Sequence, residues 1–270
     1  MNIAVPGGTG MLGRAVVDEL VRRGHHVRVL TRTPPRHPQV GTTHHVVDVA
    51  TGAGLDEALA GVDAVVDATN TPGSGRKAWP VVVDGTRRLL EAEARAGVGH
   101  HVAISIVGID KVPFSYYRAK LAQEQLVETG PVPWSIVRAT QFHELLDLAF
   151  ATTARARFVP ASAFPVAPVD PRFVAGILAD AAEAGPGGRL APVAGPDVAP
   201  VGELARAWAQ ARGRRVLALP VPLRPRARRA LMDGALVPAA DSAITGGPSF
   251  GAWLRESVPE RRSGAAAVAA

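Results

Sequence analysis

The chain has no cysteine and few aromatic residues, 5% of its 270 positions, with only two tyrosines among them. Without thiols there are no disulfides, no thiolate nucleophile and no cysteine-ligated metal. With so few rings, no aromatic platform for stacking bases is apparent. The formal charge of +6 and pI near 10.6 therefore read as arginine in an Ala-, Gly- and Pro-rich composition, and no nucleic-acid partner is expected. Nor is there any apolar run approaching the roughly 18 residues of a membrane span. Met1-Asn2-Ile3 enters an apolar stretch directly, with neither the basic nor the long hydrophobic segment of a signal peptide. The expectation is a cytoplasmic globular protein with no stable membrane association, monomeric or homodimeric. Its 47% hydrophobic content can fill a sizeable core.

Glycine, by contrast, is abundant and patterned at the start. Asn2-Ile3-Ala4-Val5-Pro6 opens into Gly7-Gly8-Thr9-Gly10-Met11-Leu12-Gly13, followed by residues 14–24 with Val16, Val17, Leu20 and Val21 on one helical face. This is a strand, a tight turn and a helix. Gly8-x-Gly10-x-x-Gly13, or Gly7-x-x-Gly10-x-x-Gly13 at the variant spacing, fits the dinucleotide-binding fingerprint. Glycines permit positive φ, admit a pyrophosphate where a Cβ would block it, and let helix and strand pack closely. The unpaired N–H groups of the first helical turn then receive the phosphate charge. Gly7, Gly8, Thr9, Gly10, Met11, Leu12 and Gly13 are the candidate cofactor contacts.

Residues 27–30 make a second strand. At its tip an acid would hold the ribose 2′-hydroxyl of NAD, but Thr31-Arg32 stands there instead. A guanidinium suits a 2′-phosphate, so NADP is expected in preference to NAD, through Arg32 with Arg36 as second candidate. Residues 44–48 read as a third strand, with Asp48 and Val49 lining the adenine pocket, and residues 55–59 as a short helix. The nearly all-apolar residues 64–68 read as a parallel strand buried on both faces. Ala68 and Thr69 would pass beside the cofactor, and Asn70 reads as a turn former more than as a polar contact. A long helix over residues 79–96, with Val82, Val83, Leu89 and Leu90 inward, leads to a fifth strand at residues 101–106. Such alternation predicts an α/β fold, a doubly wound parallel sheet of Rossmann type, with ligands at the C-terminal strand ends. The pairs His25-His26, His44-His45 and His100-His101 each precede a strand and so belong at the opposite edge. No metal site is expected.

The chemistry sits after the fifth strand. Tyr116 and Lys120 are four apart and share a helix face. A tyrosine is a poor acid–base at neutral pH unless a nearby cation stabilises its phenolate, and a lysine one turn away can do so. Ser105, ending the fifth strand, can offer a hydroxyl to the same substrate oxygen. Tyr117 is expected to pack inward.

These residues make the sequence resemble the short-chain dehydrogenase/reductase superfamily, in particular its atypical, NmrA-like NAD(P)H-binding branch. The resemblance is carried by Gly7 to Gly13, the Asp48 strand end, Ile104-Ser105-Ile106-Val107-Gly108, Tyr116-Tyr117-Arg118-Ala119-Lys120 and Val137-Arg138-Ala139-Thr140-Gln141-Phe142. It implies an oxidoreductase moving hydride between nicotinamide and a small-molecule carbonyl or alcohol. Tyr116 would be the acid/base, Lys120 would hold the nicotinamide ribose and lower the Tyr116 pKa, and Ser105 would orient the substrate oxygen. The alternative is a non-catalytic NADP(H) sensor acting through a protein partner, which has no use for Tyr116 with Lys120.

Beyond a sixth strand at residues 134–138, residues 141–145 should line the substrate side, with His143 a candidate polar contact or a surface histidine. Residues 164–170 and 172–184 resemble the strand and helix that cover the pocket, and residues 189–193 a last strand. Residues 212–229 read as a solvated, proline-rich linker and helix, residues 250–258 as a docking helix anchored by Phe250 and Trp253. One domain is expected over residues 1–262, a dinucleotide-binding core at 1–140 and substrate-side elements at 141–262, with a disordered tail at 263–270.

Overall fold

In the computed structural model, which describes residues 1–33, 38–71 and 75–257, strands and helices alternate from the first residues. The first half runs β1 (Asn2–Pro6), α1 (Met11–Arg22), β2 (His26–Thr31), β3 (Thr42–Val46), α2 (Leu55–Leu59), β4 (Ala64–Asp67), α3 (Gly75–Trp79), α4 (Gly85–Ala96), β5 (His100–Ile106), α5 (Ser115–Thr129) and β6 (Trp134–Ala139). The second half runs α6 (His143–Ala154), β7 (Phe158–Pro160), β8 (Pro165–Val166), α7 (Pro171–Ala184), β9 (Gly188–Arg189), β10 (Val193–Ala194), β11 (Ala199–Pro200), α8 (Val201–Ala211), β12 (Leu217–Leu219), α9 (Pro225–Met232), β13 (Ile244–Thr245) and α10 (Phe250–Ser257).

The main sheet is parallel, in the order β13-β10-β6-β5-β4-β1-β2-β3, with β9 also paired to β6. From β1 the chain steps outward to β2 and β3, then returns to the other side of β1 at β4 and steps outward again to β5 and β6. The reversal between β1 and β4 splays the following connections apart, which is where doubly wound sheets bind their ligands.

Apolar residues on both sides of each central strand explain why these segments read as continuous runs. Ile3, Val5, Val66, Val102 and Val137 pack on one face against Val16, Val17 and Leu20 of α1 and Val174 and Leu178 of α7. Ala4, Leu30 and Val65 pack on the other against Leu55 and Leu59 of α2 and Leu89 of α4. Fully burying such a side chain contributes about 1.5–3 kcal/mol, so the two layers hold the sheet. A separate apolar cluster joins α6, α8, α9 and α10, centred on Phe150, Trp208, Leu231, Phe250 and Trp253.

Several local expectations change. The third strand ends at Val46, because Asp48 leaves the ladder for a turn in which its Oδ1 accepts from Ala50 N at 3.0 Å and its carbonyl accepts from Gly52 N at 2.7 Å. The helix expected from Trp79 begins at Gly75 and passes through a π-helical turn at Pro80–Asp84 before α4; Pro80 brings no N–H to the ladder. The helix expected to cover the pocket, α7, instead packs against α1 as a core layer, because its Val174, Ala175, Leu178 and Ala182 stripe is wholly apolar. Within the linker expected at 212–229, β12 pairs with β7 in parallel. Phe250 and Trp253 anchor α10 as expected. Arg36 and the tail at 263–270 lie outside the described residues.

Candidate active site

The turn after β1 has no room for side chains. Gly7 has φ +73°, and a Cβ on it would lie 2.6 Å from the Ala68 carbonyl oxygen; a Cβ on Gly13 would lie 2.1 Å from that of Gly7. Inside the loop Gly8 N donates to Val5 O at 3.1 Å and Gly10 N to Gly7 O at 2.9 Å. No side chain caps α1, so among the described residues the N–H groups of Met11, Leu12 and Gly13 have no acceptor. This cradle fits a pyrophosphate. The Ala68 carbonyl and Thr69 Cα stand directly against Gly7. Thr9 Oγ1 lies 3.5 Å from Thr31 Oγ1, and Arg32 is exposed at the tip of β2. Asp48 is occupied by its own turn, and Val49 packs against Gly85.

At the other lip, past β4, stands the tyrosine. Tyr116 donates its hydroxyl to Asn70 Oδ1 at 2.7 Å, while Thr71 N donates to the same oxygen at 2.7 Å. Asn70 is thus both turn former and polar contact. Burial pushes the Tyr116 phenol up to about 12. Tyr117 turns inward, edge-on to Phe114 at 5.3 Å between ring centroids.

Lys120 is 3% exposed and makes no hydrogen bond to Tyr116. Its ammonium donates to the Ile104 carbonyl at 2.7 Å and to Gln123 Oε1. Gln123 in turn donates to Asp67 Oδ2 at 3.1 Å and Thr86 Oγ1 at 3.0 Å, and Asp67 Oδ1 accepts from Thr69 N and Oγ1 at 2.9 and 2.5 Å. Burial pulls the Lys120 pKa down to about 8, with the Asp67 and Glu124 carboxylates opposing it. This chain of Asp67, Gln123 and Lys120 ties the ends of β4 and β5 to α5. It was not foreseen, although an acid inside an otherwise apolar strand, at Asp67, was a signal that something polar awaited it. Ser105 shares the α5 side of β5 with Ala103, and its buried hydroxyl lies beside the Glu124 carboxylate, which it helps to hold below its usual pKa.

Other polar residues serve the frame. His143 is a buried residue and not a pocket contact: Nε2 faces the Pro248 carbonyl at 3.0 Å and the ring packs against Phe250 and Trp253. His101 pairs with Glu93 at 2.9 Å, His100 with Ser135 at 2.9 Å and His25 with Glu183 at 2.7 Å. Among the described residues no helix is long and apolar enough to cross a membrane.

Comparisons with known proteins agree with this geometry. A family model described as NAD(P)H-binding matches residues 7–182, from the glycine turn to α7. The chain is 38% identical over 204 residues to a (4-alkanoyl-5-oxo-2,5-dihydrofuran-3-yl)methyl phosphate reductase of Streptomyces griseus, covering 72% of this chain and 68% of that one. It is 28% identical over 166 residues to the divinyl chlorophyllide a 8-vinyl-reductase of Cucumis sativus, of which it spans 40% against 54% of its own length. Among solved structures, an NADPH complex of the quinone oxidoreductase QOR2 of Escherichia coli superposes with a TM-score of 0.74 at 17% identity, covering 94% of this chain and 99% of that one. With the glycine cradle, the strand order and the match over most of the chain in agreement, this protein belongs to the NAD(P)H-binding family, the NmrA-like branch of atypical short-chain dehydrogenases/reductases.

Proposed function

We propose that the protein is an NADPH-dependent reductase of a small-molecule carbonyl or carbonyl-conjugated substrate, with Tyr116 as proton donor. The observation that carries this reading is the placing of the Tyr116 hydroxyl, held by Asn70 just past β4, on the same strand end that closes the glycine cradle. Met11, Leu12 and Gly13 N–H groups would hold the pyrophosphate, Arg32 the 2′-phosphate, and Ala68 and Thr69 the passage between them. Bound there, the dinucleotide supplies hydride to the substrate carbon.

What the chain supplies is the proton and the surroundings. A phenol lifted to about 12 stays protonated at neutral pH, so Tyr116 suits the reductive direction, giving its proton to the oxygen as negative charge builds there. Ser105, buried at the end of β5 with Glu124 as its carboxylate neighbour, would have to turn its hydroxyl to steady the same oxygen. Lys120, bound beneath the end of β5 instead of beside the phenol, acts as a fixed positive charge and a brace for the strand ends. The reductase and vinyl-reductase names of the two relatives support the direction of reaction. The commitment of Lys120 to Ile104 and Gln123 also favours a second reading, an NADP(H) sensor that turns nothing over.

Binding of NADPH followed by a screen of aldehydes, ketones and enones, monitored by NADPH absorbance, separates the two. Reductive turnover supports the enzyme. Tight NADPH binding with no consumption across the screen supports the sensor.

A further inference from the structure

One cavity is not used by this reading. It has a volume of about 280 Å³ and lies in the second apolar cluster, walled by Leu146, Phe150, Phe164, Val166, Val201 and Leu236. Ala149, exposed on α6, and Val221, exposed after β12, also line it, so the cavity reaches the surface. No charged residue lines it. That excludes a sugar nucleotide or a phosphorylated group as its occupant, since a diphosphate with no cation beside it would not leave water.

One wall is polar. Gln141, two residues past the end of β6, lines the cavity, and both its Oε1 and its Nε2 are buried with no hydrogen-bond partner among the described residues. Buried amides are nearly always paired, so an orphaned donor and acceptor facing an apolar cavity mark a place for a ligand atom. The occupant that suits the apolar walls and the amide donor is an unbranched hydrocarbon chain bearing one oxygen function, the chain against the aliphatic walls and the oxygen accepting from Gln141 Nε2.

We propose that this cavity binds the alkyl or acyl chain of the carbonyl substrate, with Gln141 hydrogen-bonding an oxygen on that chain. The inference rests on the reductase reading for its chemistry, but the binding it asserts is separable from turnover. Gln141 follows β6 and Tyr116 stands on the helix that follows the neighbouring strand β5, so both belong to the C-terminal edge of the parallel sheet. In this proposal a chain seated here directs its head toward the reactive lip of the sheet.

The test is a homologous series of 2,4-alkanediones, from 2,4-pentanedione to 2,4-undecanedione, in which one carbonyl can meet Gln141 while the other reaches the reactive lip, measured on the full chain with NADPH present. Dissociation constants come from isothermal titration, and turnover is followed separately. Affinity is expected to rise about fourfold per methylene, the worth of burying one such group, until the cavity is full. Gln141→Met, nearly equal in volume, should weaken every ketone about tenfold while leaving the per-methylene gain unchanged. Ala149→Trp, a substitution at an exposed helix position, should plug the cavity and flatten the chain-length series with NADPH affinity unaltered. Should either variant fail to fold, the series on the natural chain decides.

Chain-length-dependent binding without NADPH consumption upholds the cavity and overturns the reductase reading. Turnover of short carbonyls with no gain along the series overturns the cavity and upholds the reductase. A series that persists unchanged in folded Ala149→Trp places the chain elsewhere and overturns the proposal.

Discussion

A tyrosine that donates to Asn70 in the resting site must exchange that partner for the substrate oxygen, so the two residues act together. Asn70→Ala should leave the phenol unanchored and lower kcat more than it raises KM, by less than the loss of the hydroxyl itself; steady-state kinetics check this. Lys120 sets the pH response. Its pKa is held near 8 by burial, so the charge beneath β5 is present below that pH and lost above it, while Tyr116, near 12, stays protonated throughout. The reductive rate should therefore be level through neutrality and fall as pH rises past about 8. In Lys120→Met the rate should be lower but without that break. A break near 8 that survives in Lys120→Met would assign it to another group. Arg32→Ala should weaken NADPH by about 1.5–3 kcal/mol, the worth of a hydrogen bond to a charged group, and leave NADH unchanged. Equal losses for both dinucleotides would remove Arg32 from the 2′-phosphate.

Between elements, the glycine turn and a buried ion pair add two specific constraints to the apolar layers. A methyl on Gly13 meets the Gly7 carbonyl at 2.1 Å, so Gly13→Ala must force α1 away from the turn. The expected cost is about 1–3 kcal/mol of stability in urea unfolding, with dinucleotide affinity lost as well. His101 on β5 and Glu93 on α4 are both fully buried; burial works against charging His101, but the carboxylate at 2.9 Å more than offsets it and holds the imidazole above its usual value. Removing one partner, as in His101→Ala, strands the other and should cost about 3–5 kcal/mol, whereas the double replacement by apolar residues should recover much of it. These elements were visible in the sequence where a period or a glycine spacing marked them: β1, α1, β2, β4, α4 and β5 follow their apolar patterns, and α5 was marked by the Tyr116 and Lys120 spacing. The misreadings share a cause. Asp48 left its strand for a turn, α7 turned its apolar stripe to α1, and His143 was drawn into an aromatic cluster, and each outcome depends on partners distant in sequence. The contact of Asn70 with Tyr116, across residues 46 apart in the chain, is of the same kind.

For the whole molecule the expectation is a core whose stability is coupled to its cofactor. A ligand that binds only the folded chain stabilises it by about 2.7 kcal/mol at a hundred times its Kd, so NADPH should raise the unfolding midpoint more than NADH does. The central claim joins that binding to chemistry at one hydroxyl, and a single comparison tests it. Natural protein and Tyr116→Phe, each first shown to bind NADPH with the same affinity, are mixed with a carbonyl substrate from the screen and NADPH oxidation is followed at a single turnover. The expected result is a rate lowered by roughly 10²–10⁴ in the variant, the usual yield of general acid catalysis. Equal rates in the two proteins would contradict the assignment of the proton to Tyr116.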